Sequence, residues 1–153
     1  MITQDDKMIK SMLTNLIGNA IVQAGRAIKV HNIKLFSDNN FNITPEQFMV
    51  LNALCEHENL CQRELCDILL KDKSNMARIL FILDKKGLIR KIKTKDKKLV
   101  NKIQITPNGR KIRDIISPVI YLSRKEYLKD INEDDLYVCL KVLSKIKSNL
   151  EEK

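Results

Sequence analysis

Apolar residues fall into helical register over most of this chain. Met8, Met12, Leu16, Ala20, Ala24, Ala27 and Ile28 keep three- to four-residue spacing, which predicts a long helix over 6–36. The polar run "SDNNFN" at 37–42 breaks it with turn formers. Thr44 then offers an N-cap oxygen, Pro45 suits the first helical position and Gln47 completes a capping box. The helix they open is predicted to reach His57, with Phe48, Leu51, Leu54 and Cys55 inward. "LCQRELCDILL" predicts a short helix with Leu65, Ile68 and Leu69 on its inner side, Cys61 at the cap and Glu64 three residues on. "KDKSNMARILFILDKKG" predicts another, capped by Asp72, striped by Met76, Ile79, Leu80 and Leu83, and stopped by Gly87. A connection of roughly three residues between two short helices is helix-turn-helix spacing.

The period then changes. "LIRKIK" and "LVNKIQI" alternate as strands do, and "TKDK" between them is a polar turn, so a β-hairpin is expected. Thr106 and Pro107 restart a helix that is predicted to run to Lys129, bent at Pro118 where one backbone N–H is missing. Asn132 caps a last helix with Leu136, Leu140, Leu143, Ile146 and Leu150 at helical spacing, and "EDD" at 133–135 sits at its positive end. With no internal repeat and no linker, 1–153 reads as a single domain, mainly α with a small β-hairpin. Its helix-turn-helix and hairpin occupy 44–106. The helices at 6–36 and 107–150 carry more apolar residues than that lobe needs, which predicts a helical oligomerisation region.

Charge changes the picture next. The chain carries a net +9, and residues 85–102 alone hold nine basic side chains against one acid, Asp96. Charge this local is a footprint for a polyanion rather than a general aid to solubility. Stepping about 100° per residue from the inner stripe of the second short helix puts Ser74, Arg78, Phe81 and Lys85 on the opposite face, flanked by Asn75 and Ile82. Arg pairs naturally with guanine, Asn with adenine, Ser with several bases, and a helix N-terminus favours phosphate.

Other chemistries find little support. No apolar run reaches the roughly 18 residues of a membrane span, and nothing resembles a signal peptide, so no membrane partner and a cytoplasmic location are expected. Cys55, Cys61, Cys66 and Cys139 should then be reduced, and their spacing fits no zinc or redox motif. The two histidines, His31 and His57, stand apart, and there is no phosphate-binding loop, no H-E-x-x-H and no recognisable nucleophile motif. No catalytic residue, cofactor or metal is therefore expected, and the chain reads as a non-enzyme.

Taken in order, "ITPEQFMVLNAL", "LCQRELCDIL", "DKSNMARILFILDKKGLIRK" and "KDKKLVNKIQITPNG" resemble the MarR family of winged-helix regulators over nearly the whole length. The last of these is similar to the family's wing and its exit, Asp-x-Arg, a strand, then Leu-Thr-x-x-Gly. The resemblance implies a winged helix-turn-helix with a helical dimerisation region, built from the first helix and the last two. It implies a homodimer on a pseudo-palindromic double-stranded DNA operator, acting as a transcriptional regulator and expected to repress. Carried over by position, Lys73, Ser74, Asn75 and Arg78 would contact DNA from the recognition helix. In the wing, Arg90, Lys95, Lys97 and Lys98 would meet the backbone, and Asp96 would organise the tip. Lys98 stands where the family usually has arginine; it keeps the charge and loses the planar fork that reads a narrow minor groove. Phe81 and Ile82 replace residues that are mostly polar in the family; thymine methyls and another helix of the dimer are the two partners open to them, and packing is the one expected, because in the family that half of the helix rises out of the groove.

Three further readings stay open beside this one. Cys61 at a helix start, near Arg63, is a candidate for thiol-based redox sensing. A nonspecific nucleic-acid binder would use the same lysines. Many family members release DNA when a small aromatic effector enters a crevice; the resemblance points to a lining from His31, Phe36, Phe48 and residues near Ile112, and no residue names a ligand.

Overall fold

A computed structural model describes residues 4–93 and 101–151. The chain forms two compact units, 1–113 and 114–153.

The first unit opens with α1 (Gln4–Asp38), whose apolar side chains are mostly exposed, Ile21 being half-buried, until its last turns, where Phe36 is buried. A left-handed turn at Asn40 leads to α2 (Pro45–Glu56). Its start is closed as the sequence predicts: Gln47 N–H donates to Thr44 Oγ1 at 3.2 Å, and Thr44 N–H donates to Gln47 Oε1 at 3.2 Å. β1 (Leu60–Cys61) and α3 (Gln62–Leu69) follow. The turn between α3 and α4 (Lys73–Lys85) holds Leu70 at φ 48, a left-handed conformation that costs a leucine roughly 1–2 kcal/mol. Asp72 Oδ1 accepts from Asn75 N–H at 2.8 Å and caps α4. At the other end Gly87, at φ 67, lets Leu88 N–H reach back to Leu83 C=O and Gly87 N–H to Asp84 C=O, both at 2.9 Å, which is the Schellman closure.

The sheet is antiparallel in the order β1-β3-β2, with β2 (Ile89–Lys93) and β3 (Asn101–Ile105) paired so that Arg90 faces Gln104. The expected hairpin is therefore the larger part of a three-stranded sheet. Leu60 and Cys61 add a short third strand opposite Ile103 and Lys102. Two residues are too few for alternation to reveal, and in sequence they read only as an approach to a helix.

Leu51, Leu65, Met76, Leu80, Leu83, Leu88 and Ile89 form the fully buried core of this unit. Each contributes about 1.5–3 kcal/mol by leaving water. The inner side of α3 departs from expectation. Leu65 is buried and Leu69 half-buried, while Ile68 is 43% exposed, because an eight-residue helix on one layer has room for only a narrow buried stripe.

α5 (Pro107–Tyr127) begins on the first unit and continues into the second. Its start is tied to the end of α4. Thr106 Oγ1 donates to Gly87 C=O at 2.7 Å and accepts from Gly109 N–H at 3.1 Å, while Thr106 N–H donates to Leu88 C=O. Arg113 then donates from Nε and Nη2 to Asn52 Oδ1 on α2, each at 3.2 Å. In the second unit α5 runs through Pro118 without ending, and Asn132 Oδ1 accepts from Asp134 N–H at the start of α6 (Glu133–Glu151). No residue of α6 is buried, and Leu140 is 65% exposed.

Candidate nucleic-acid interface

The surface in question is built outward from α4. Met76, Ile79, Leu80 and Leu83 anchor the helix to the core, so the 3.6-residue period leaves Lys73, Ser74, Ala77, Arg78, Phe81 and Lys85 in solvent. Gln62 Nε2 on α3 donates to the Lys73 carbonyl at 3.1 Å and ties the two helices together at the start of α4. Lys73, Ser74 and Arg78 thus lie on one exposed surface. Asn75 lies at its edge, half-buried, and its Oδ1 is enclosed with no hydrogen-bond partner among the described residues. A bidentate contact to adenine would require that side chain to turn outward. Phe81 is 58% exposed, with Lys85 Nζ 5.6 Å from its ring centroid.

Beside α4 stands the sheet. Arg90 donates from Nε at 3.2 Å and Nη2 at 2.9 Å to Gln104 Oε1, and Gln104 Nε2 donates in turn to Asn59 Oδ1. This relay crosses β2 and β3 to the turn before β1 and fixes the guanidinium. Lys95, Asp96, Lys97 and Lys98 lie outside the described residues. The other basic residues of the run are less uniform than their charge suggested. Lys91 pairs with Asp84 at 4.0 Å, Lys102 with Glu64 at 3.1 Å, and Lys86 Nζ donates to the Asn42 carbonyl. Exposed pairs of this kind contribute about 0–1 kcal/mol each, so they orient the lysines more than they stabilise the fold.

Glu64 joins the sheet to α3. Its Oε2 accepts from Cys61 N–H at 2.6 Å and from Lys102 Nζ at 3.1 Å. Hydrogen bonds from the Cys61 backbone and thiol, then from Lys102, hold its carboxyl down at about 2 from the ordinary 4.5. A depressed folded-state pKa adds stability above the unfolded value and loses it as pH falls through the folded value. The stability gap between the parent protein and Glu64→Gln should therefore be full above pH ~5 and close as pH falls towards 2. After discounting for solvent screening we expect a gap of about 1 kcal/mol, read by urea unfolding across that range. Cys61, the redox candidate, sits half-buried at the N-cap of α3, where the positive end of the helix is already met by Glu64. All four cysteines are unpaired, and burial, with Asp67 nearby, raises the pKa of the Cys66 thiol.

Two residues of the suggested effector lining pack on each other. Phe36 and Phe48 are buried and meet edge to face, centroids 6.0 Å apart, and Phe41 meets Phe36 at 5.3 Å. Aromatic edges and faces in this arrangement fill the joint between α1 and α2. Their spacing in sequence marked them as apolar but gave no sign that they meet each other. Among the described residues no group of three or more His, Cys, Asp or Glu side chains is placed to hold a metal ion. No helix among them is long and apolar enough to cross a membrane.

Comparison with known proteins gives this geometry a setting. Residues 41–98 match a model described as the MarR family. A MarR/EmrR family transcriptional regulator from Acinetobacter sp. ADP1 superposes with a TM-score of 0.83 at 16% identity, covering 92% of this chain and 99% of that one. The MepR–DNA complex of S. aureus gives 0.75 at 20% identity, covering 86% and 94%. Staphylococcus aureus MarR in complex with salicylate and kanamycin gives 0.78 at 17%, covering 93% and 95%. At these identities the superpositions establish the fold: a mainly helical winged helix.

Proposed function

Residues 41–98 match the MarR family, and from that premise we propose that this chain is a MarR-family regulator: a sequence-specific, duplex-DNA-binding transcriptional regulator acting as a homodimer, and a repressor. The observation that carries the reading is the exposed face of α4, where Ser74 and Arg78 stand outward from a helix whose opposite face is fully buried. Such a helix fits the major groove, about 12 Å wide, and presents a hydroxyl and a guanidinium to base edges. Lys73 at the helix start and Arg90 on the sheet supply cations to phosphates on either side, and Lys95, Lys97 and Lys98 are assigned the same role from their charge. One relative of the same fold was crystallised on DNA, which supports the same use of α4 here. Another was crystallised with salicylate, which supports a small aromatic effector as the release signal.

The homodimer is supported by apolar faces that one copy leaves uncovered. Met12 and Leu16 on α1 are 56% and 59% exposed, and on α6 Leu140 and Leu143 stand in solvent in one helical row. A second copy related by a two-fold axis would bury them and set the recognition helices one DNA turn apart, about 34 Å. Leu140→Asp with Leu143→Asp should shift sedimentation from dimer to monomer. A dimer that survives both changes would remove α6 from the interface.

Selection from a randomised duplex pool tests the function itself. The expected product is an imperfect inverted repeat with half-site centres about 10 base pairs apart. Recovery of unrelated sequences, bound equally well, would leave only a nonspecific polyanion binder.

A further inference from the structure

Phe81 puts a large apolar side chain among the polar and charged groups of the outward row of α4. It is exposed in the middle of a helix that buries every other large apolar side chain except the half-buried Ile82. It follows Ser74 by seven residues and Arg78 by three, so all three lie within a narrow angular sector of α4. A phenyl ring in that row has two conceivable covers: an apolar face of another helix, or DNA.

The charges decide between them. Lys85 Nζ lies 5.6 Å from the ring centroid, and Arg78 stands one turn back in the same exposed row. A helix that covered Phe81 would have to desolvate both cations, which is costly without an anion for each. A second copy of this chain meeting the row across a two-fold axis would make matters worse, because it would bring the same two cations to the contact. DNA supplies both needs at once. Its phosphates take the cations, and the floor of its major groove offers an apolar group, the 5-methyl of thymine. The packing expected for Phe81 from sequence is thereby the weaker of the two.

We propose that Phe81 is a specificity-determining residue that reads a thymine methyl in each half-site. The proposal rests on the assignment of α4 to the major groove. Seven residues of helix advance roughly 10 Å, which is about three base-pair steps. The thymine read by Phe81 therefore lies about three base pairs from the base that Ser74 meets. Lys85, beside the ring, takes the flanking phosphate and holds the phenyl against the groove floor.

Deoxyuridine tests this directly, since it differs from thymidine by that methyl alone. Duplexes recovered by the selection described above would have each thymine replaced singly, then in symmetric pairs. At one position per half-site the parent protein should bind about four-fold less tightly, and about fifteen-fold when both half-sites are changed. Phe81→Ala should bind the thymine and uracil duplexes alike, and its own selection should lose thymine enrichment there. Because Phe81 is exposed, the variant should keep the parent's helicity and melting temperature. Uracil that is silent at every position, or a loss that persists in Phe81→Ala, would overturn the inference while leaving the regulator intact. A parent protein that selects no sequence at all would fail the DNA assignment, and the inference with it.

Discussion

Arg78→Ala should weaken binding to a selected duplex by roughly thirty-fold to twenty-thousand-fold and change binding to a scrambled duplex far less. An arginine–guanine contact carries about 1–3 kcal/mol of discrimination, and a two-fold dimer makes it twice. Arg78 is exposed, on the face of α4 opposite Met76, Ile79, Leu80 and Leu83, so its loss removes no core contact. Fluorescence anisotropy on both duplexes, at two salt concentrations, separates the two effects. If the dimer neutralises about 6–10 phosphates, the log–log salt slope should fall between roughly −5 and −9. Alanine should change that slope by about one for each Arg78 that meets a phosphate rather than a base.

Gly109→Ala should destabilise the protein by about 2–3 kcal/mol, although the residue lies outside α4 and the sheet. A Cβ at that position would stand 2.2 Å from the Leu88 carbonyl oxygen and 2.8 Å from Ile105 Cγ1. The first of these is backbone, held by the N–H of Thr106 at 3.0 Å, so it has little room to retreat. Relief would require α5 to lift off the end of α4. That would stretch the hydrogen bonds from Thr106 Oγ1 to Gly87 and from Gly109 to Thr106. Urea unfolding monitored by circular dichroism gives the value. An unchanged midpoint would mean that the α4–β2 corner and the start of α5 are not held as tightly as these contacts require.

These two residues also mark how far the sequence could be read. Helix ends were legible because their chemistry is local: Thr44 with Gln47, Asp72 with Asn75, and Gly87 after the last stripe residue each act within a few positions. The outward row of α4 was legible for the same reason, since a buried stripe fixes its opposite face. What depended on distant partners was not. Asn59, Gln104 and Arg90 become one relay only when β2 and β3 pair in their actual register and β1 joins them. Glu64 was visible as a capping residue, but its link to Lys102 spans 38 positions of sequence. Asn75 was placed at the edge of the contact face by angle alone; the enclosure of its carbonyl oxygen is a tertiary fact. The lysines of 85–102 read as one outward charge because composition does not show which of them have acids beside them.

Hydroxyl-radical footprinting on the selected duplex, with the parent protein and Arg78→Ala side by side, tests the central claim most directly. A two-fold pair of recognition helices predicts two protected patches on one face of the DNA, their centres about 10 base pairs apart, and their loss in the variant. Protection spread evenly along the duplex, or the same pattern with and without Arg78, would contradict it.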